Sequence, residues 1–371
     1  MKTPNFLAID NCFASKRWTE PMEWMRIAAD AGIGYIEASA DTECDSLYSD
    51  PDYLKDWIRD VRRATAETGV RIANLYSGHG TYTTLGLAHP DSRNARRMEE
   101  EWLGGMLIRA AELQCGVGFF CHAFPQSVLQ DPARYQASLE MLYDRLAHLA
   151  VRAAELGVPE IGVEQMYSPH QVPWTIEGAR TLVHEVWKRS GKNFYLTIDT
   201  GHQSGQHNFR RPDAAKIQAV IDDFRKTGTF EPVWLGPEKA FDLIRKGASV
   251  TEIEALLDEY PYMFSKPEDS DTCRWLAELG MYAPIVHLQQ TDGTKSAHLP
   301  FDDAHNKTGV IHAEKVLAAL DKSDAVPADP EMPAPCRQHY LTLELFGGTA
   351  ELPSSLLRKV DDSARYWRNY L

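Results

Sequence analysis

The sequence predicts a single (β/α)8 barrel, on three observations. Eight short apolar runs recur along its 371 residues. Amphipathic segments of helical period separate them. Glycine ends several of those segments just before the next run. A length prior alone allows two or three domains, but α/β barrels outrun that prior, and no linker, repeat or low-complexity tract divides the chain.

The apolar runs, in order, are FLAID (6–10), IGYIEA (33–38), VRIANLYS (70–77), VGFFCH (117–122), IGVEQ (161–165), FYLTID (194–199), PIVHLQQ (284–290) and YLTLELF (340–346). They are rich in Ile, Val, Leu, Phe and Tyr, as strands buried on both faces should be. Helical patterns fill 21–31, 52–68, 92–113, 131–156, 176–189, 312–321 and 354–370. Gly32, Gly69, Gly116 and Gly157 are expected to supply the left-handed residue that stops a helix. Strand–helix alternation means a parallel sheet, and eight strands close a barrel. The competing open doubly wound sheet lacks its G-x-G-x-x-G after the first run.

One interval is long. About eighty residues (203–283) separate the sixth and seventh runs, with helical patterns and the apolar residues Trp234, Tyr260, Tyr262, Met263 and Phe264. Such an insertion is expected over the catalytic mouth, as a lid or an oligomer contact, and a homo-oligomer is expected. The segment 325–335, with four prolines, reads as a stiff external loop.

The net charge of −14 repels nucleic acid and anionic lipid, so neither is an expected partner, although a local basic pocket could still take an anionic small molecule. No apolar run reaches the ~20 residues that span a bilayer. The opening MKTPNFLAID has no apolar core or cleavage site of a signal peptide. Six cysteines stand at positions 12, 44, 115, 121, 273 and 336 without C-x-x-C spacing, which fits free thiols in a reducing cytoplasm.

Reacting groups of a barrel enzyme come from the C-terminal ends of strands. The fifth strand is expected to end at Glu164 and the sixth at Asp199 (followed by Gly201 and His202), the seventh run carries His287 and Gln289, and the eighth carries Glu344. Singly, each carboxylate is more often a helix cap or an ion-pair partner. Four such groups on four successive strands are harder to dismiss, because a buried unpaired carboxylate costs several kcal/mol. Three carboxylates and one imidazole make a hard site for one divalent cation, Mn²⁺ first, with Mg²⁺, Co²⁺ or Zn²⁺ as alternatives.

The segments VEQM, TIDTGH, VHLQQTDG and LTLELF, in this order, resemble the xylose-isomerase-like barrels, in particular their sugar and sugar-phosphate isomerase/epimerase branch. The Asp199/His202 pair is the most specific piece. The resemblance implies that Glu164, Asp199, His287 and Glu344 are metal ligands and that His202 contacts a substrate oxygen. It also implies that Glu164 and Glu344 face opposite sides of the reacting carbon as the acid/base pair. The chemistry is self-consistent: a proton beside a ketone leaves only if the developing enediolate is stabilised, and a chelated cation does that.

The branch carries an arginine after the strand-seven histidine, and this chain has TDGTKSAH there. The hydroxyls, glycine and Lys295 of that loop could hold a phosphate or form an ordinary turn. The loop resembles those of tetrulose-phosphate racemases or isomerases of polyol catabolism. The expected substrate is therefore a small ketose or ketose phosphate. Glu37, His79, His122 and Asn11 are further candidate substrate contacts, with Phe13 a candidate wall, although each is as readily structural. Competing functions are a metal-dependent dehydratase of inositol-type ketones, a DNA-repair endonuclease (disfavoured by charge) and a non-catalytic sugar-binding protein.

Overall fold

The computed structural model describes residues 3–78 and 86–371. Eight parallel strands close into a barrel in sequence order. They are β1 (Asn5–Asp10), β2 (Tyr35–Ser39), β3 (Arg71–Ser77), β4 (Gly116–Phe119), β5 (Ile161–Glu164), β6 (Tyr195–Asp199), β7 (Ile285–Leu288) and β8 (His339–Leu343). Each coincides with one apolar run to within a few residues, and helices lie between them. β8 stops one residue before Glu344, whose amide still bonds Leu288 O at 3.0 Å.

The period of two in a strand sorts side chains between the lumen and the helix layer. Val163, Val286, Leu288, Leu341 and Leu343 are buried in the apolar core. The lumen positions at the C-terminal ends of the strands are polar. Asp10 stands opposite Glu37, Glu37 opposite Asn74, and Asp199 opposite His287. A register shift between Ile36 and Glu37 re-aims the end of β2.

Local chemistry explains the helices. Asp50, Asp131 and Thr175 cap the helices Pro51–Thr68, Pro132–Leu156 and Ile176–Ser190 by accepting first-turn amides. The 92–113 pattern forms one helical run with a π turn at Met98–Leu103. Gly32, Gly69 and Gly157 do adopt positive φ, at 72°, 78° and 75°. Gly116 does not: Gln114 takes the left-handed position instead, at φ 56°. Gly116 is small for another reason, since a Cβ there would lie 2.9 Å from Asn74 Oδ1.

Residues 203–283 form short helices that dock beside the loop after β4. Tyr262 Oη donates to Leu129 O at 2.7 Å, and Gln130 Oε1 accepts from Glu238 N at 2.7 Å. Trp234, Tyr260, Met263 and Phe264 are buried there. All six cysteines are unpaired, and five are buried. Among the described residues, no helix is long and apolar enough to cross a membrane.

Candidate metal centre and active site

The lumen of the barrel opens at the strand C-termini into a cavity of about 370 Å³. Its lining includes Asp10, Ser39, Asp41, Tyr76, Phe120, Glu164, Tyr167, His202, Ser296, His298, Glu344 and Phe346. Asp199 and His287 lie beneath it, fully buried.

His287 organises the floor. Its Nε2–H donates to Glu37 Oε1 at 2.5 Å, and its Nδ1 faces Glu164 Oε1 at 2.9 Å and Glu344 Oε2 at 3.8 Å. The other Glu37 oxygen accepts from Asn74 Nδ2 at 2.6 Å. Gly118 on β4 leaves the room for Asn74, since a Cβ there would come within 2.7 Å of that same nitrogen. Glu37 is thus committed on both oxygens. It holds the His287 ring from below and does not line the cavity, so its part is to aim an imidazole. Burial alone would push the His287 pKa down, but Glu37, Glu164 and Glu344 outweigh it and hold the ring protonated well above its ordinary range.

Asp199 accepts hydrogen bonds on both oxygens. Its Oδ1 accepts from Gly201 N at 2.7 Å, His202 N at 2.8 Å and Gln289 Nε2 at 2.9 Å, and its Oδ2 lies 3.0 Å from the same Gln289 nitrogen. His202 donates through Nδ1 to Gln165 O at 2.8 Å, and its Nε2 lies 3.8 Å from Asp199 Oδ1. Glu164 accepts the Tyr76 hydroxyl on its second oxygen.

The ligand atoms fall into two overlapping triads, Glu164/Asp199/His202 and Asp199/His287/Glu344, each within 4.8 Å. Asp199 is common to both. The four expected residues thus gather around Asp199 in two triads, with His202 in one of them. The donor set fits a divalent cation on a second count. Glu344 Oε2 is buried without a hydrogen bond, although His298 Nδ1 is only 3.3 Å away. A cation at this point would also displace the Nδ1 proton of His287.

Glu344 is pulled both ways. Burial raises its pKa, but the His298 and His287 imidazoles win and hold it down at about 2. The reciprocal effect lifts His298 to about 9 against its own burial. Asp10 is pushed well above the carboxylate range by burial, then by Glu37 and Glu344.

The remaining expected contacts are placed as follows. Asn11 accepts from Ser39 N at 2.7 Å and points its amide at Glu43 Oε1, 3.4 Å away, so it ties β1 to β2 outside the cavity. Phe13 is core, against Trp18. The aromatic walls are instead Tyr76, Phe120, Tyr167 and Phe346. His122 lies three residues beyond β4 at φ 66°, packed on Phe120 and Trp102, and does not line the cavity. Lys295 is exposed and outside the lining, whereas Ser296 and His298 of the same loop are inside it. His79 lies outside the described residues. No residue of 203–283 lines the cavity.

Sequence reasoning passed over Asp10, Tyr76 and His298 as site residues. A signal existed for two of them. Asp10 ends the first apolar run as Asp199 ends the sixth, and Tyr76 is the penultimate residue of the third. His298 carried none beyond its proximity to Lys295.

The chain belongs to the xylose isomerase-like TIM barrel family, whose model matches residues 25–351. Within it, the chain is similar to the D-erythrulose 1-phosphate 3-epimerase of Brucella abortus (strain 2308), at 24% identity over 270 residues, 72% of this chain and 68% of that protein. A solved structure from Rhodospirillum rubrum ATCC 11170 superimposes with a TM-score of 0.71 at 17% identity, covering 98% of each chain. The D-psicose 3-epimerase of Clostridium cellulolyticum H10 does so with 0.59 at 13% identity, again over 98% of each chain. At such identities the structural likeness establishes the fold.

Proposed function

We propose that this chain is a divalent-metal-dependent isomerase or epimerase that moves the proton beside the carbonyl of a small ketose. The observation that carries the reading is the pair of carboxylates, Glu164 and Glu344, that line one cavity and are disposed about the same His287 nitrogen at 2.9 and 3.8 Å. Glu164, Asp199, His287 and Glu344 would hold the cation, with His202 beside it. Bound there, the cation supplies Lewis-acid stabilisation of negative charge on the substrate's carbonyl oxygen.

The chain's own residues do the rest. Glu344, on one side of the reacting carbon, accepts the carbon-bound proton. Glu164, bonded to the Tyr76 hydroxyl, stands on the other side: a proton that it carries and delivers to the same carbon inverts that centre, whereas the proton taken by Glu344 and passed to the neighbouring carbon gives isomerisation. Phe120, Tyr167 and Phe346 exclude water from the intermediate.

The Brucella relative acts on a tetrulose phosphate, which makes four-carbon ketose phosphates the first substrates to try. A specific observation favours a second class, the free ketoses. The described lining holds Asp10, Asp41, Glu164 and Glu344 but no lysine or arginine. The test is carbon–deuterium exchange in D₂O with Mn²⁺, across C4 to C6 ketoses and their phosphates. Glu344→Gln should abolish exchange while circular dichroism stays unchanged. Undiminished exchange in that variant sinks the acid/base assignment.

A further inference from the structure

Gln289 is fully buried, and its amide is saturated on both ends. The Nε2 group faces Asp199 at 2.9 and 3.0 Å. The Oε1 atom accepts three donors from one loop: Ser296 Oγ at 3.1 Å, Ala297 N at 2.9 Å and His298 N at 2.8 Å. This orientation follows from chemistry, because a carboxylate must meet the NH₂ end and three donors must meet the oxygen.

The strand anchors the same residue. Gln289 N donates to Thr200 Oγ1 at 3.1 Å, and Thr200 Oγ1 donates back to Gln289 O at 3.1 Å. Gly201 completes the fit, since a Cβ there would lie 2.4 Å from Gln289 Cδ. The glycine after Asp199 is thus explained by the amide it must admit.

The loop that Gln289 holds is a wall of the cavity. His298 sits at φ 46°, a left-handed conformation that its amide bond to Gln289 helps to keep. Its ring lies 3.3 Å from Glu344 Oε2 and 4.7 Å, edge-on, from Phe346. One neutral side chain therefore closes a circuit from Asp199 through the 296–298 loop to Glu344.

We propose that Gln289 is a positioning residue that joins the cation-binding carboxylate Asp199 and the 296–298 loop into one hydrogen-bonded unit, so that metal capture and ordering of that cavity wall are coupled. This rests on the metal reading of the site given above. Coupling of this kind is reciprocal: metal should order the loop, and an ordered loop should tighten the metal.

The experiment uses the full-length protein, Mn²⁺ as the probe, and two readouts that need no turnover: the Mn²⁺ dissociation constant, and amide hydrogen exchange at Ala297 and His298. Q289E keeps the acceptor for the three loop donors and loses the donor to Asp199. Q289M keeps length and volume and loses both. In the wild type, Mn²⁺ should slow exchange at the two amides. Q289E should bind Mn²⁺ about 10- to 100-fold more weakly, the usual cost of losing an outer-shell partner, with the metal-free loop still protected. Q289M should show the weaker binding, faster loop exchange, and no gain in protection when metal is added. Wild-type Mn²⁺ affinity in folded Q289E overturns the proposal, and so does wild-type protection of both amides in folded Q289M. If Q289M does not fold, Q289E alone decides it. A wild-type protein that binds no divalent ion refutes the metal reading and the coupling together, whereas one that binds Mn²⁺ no better than Q289E refutes only the coupling.

Discussion

At the scale of single residues, charge placement makes two predictions. Glu43 accepts the indole N–H groups of Trp24 and Trp57, both at 3.0 Å, away from the cavity. Burial lifts its pKa from 4.5 to about 7, although the two indoles oppose the rise. An acid whose folded pKa is raised favours the folded state below its unfolded value. That contribution disappears as pH climbs, here between about 4.5 and 7. Glu43→Gln should flatten the loss, with a gain on the order of 1–3 kcal/mol at pH 8 and little change at pH 4.5, read from urea unfolding at both pH values. An equal effect at both pH values would show that the carboxyl does not titrate with folding. Lys295 supplies the second. Its exposed side chain can reach only a group that projects from the cavity. On the ketose-phosphate reading, Lys295→Ala raises KM for the phosphorylated substrate about tenfold and leaves the free sugar nearly unchanged. Equal KM values across both substrates, before and after substitution, would make the free ketose the substrate. Glu37 shows why such roles are hard to read from a chain. A carboxylate ending a strand looks the same whether it meets substrate or aims a histidine.

Elements place these residues, and at this scale legibility was high for strands and low for loops. Buried parallel strands announce themselves by unbroken apolar runs, so all eight were recoverable, along with the strand-end carboxylates. Loop conformation depends on what the loop meets. Nothing in TDGTKSAH says that Gln289 will draw Ala297 and His298 inward while Lys295 stays in solvent. Glycines within strands carry the same ambiguity, as Gly116 illustrates. Gly162 on β5, two residues before Glu164, faces the neighbouring backbone, and a Cβ there would lie 2.8 Å from Tyr195 O. Backbone cannot yield as a side-chain tip can. Gly162→Ala should cost about 1–3 kcal/mol and displace Glu164, lowering both Tm and deuterium exchange. A wild-type Tm with unaltered exchange would show that β5 and β6 separate more easily than this packing implies.

The whole molecule is a barrel whose centre concentrates acidic side chains. Asp10, Glu37, Glu164, Asp199 and Glu344 are all buried around His287. A ligand that binds only the folded state stabilises it, by about 2.7 kcal/mol when its concentration is 100 times Kd. Mn²⁺ at that excess should raise Tm by several degrees, and EDTA should reverse the rise. Calorimetric traces that superimpose with and without Mn²⁺, Mg²⁺, Co²⁺ and Zn²⁺ would remove the metal from this account. The same comparison in Glu344→Gln should show a smaller rise.

The sequence by itself determined the barrel, its strand order and the convergence of Glu164, Asp199, His287 and Glu344. Strand-end position is a one-dimensional property, and eight strands leave one closed arrangement. Only the tertiary structure decided how those groups divide their work. Glu37, itself held by Asn74, takes one nitrogen of His287, which turns the other toward Glu164 and Glu344. Gln289 ties Asp199 to a loop eight residues further on, and the insertion does not line the cavity. Each of these rests on contacts between residues far apart in the chain or on the path of a loop, and neither periodicity nor spacing encodes such contacts.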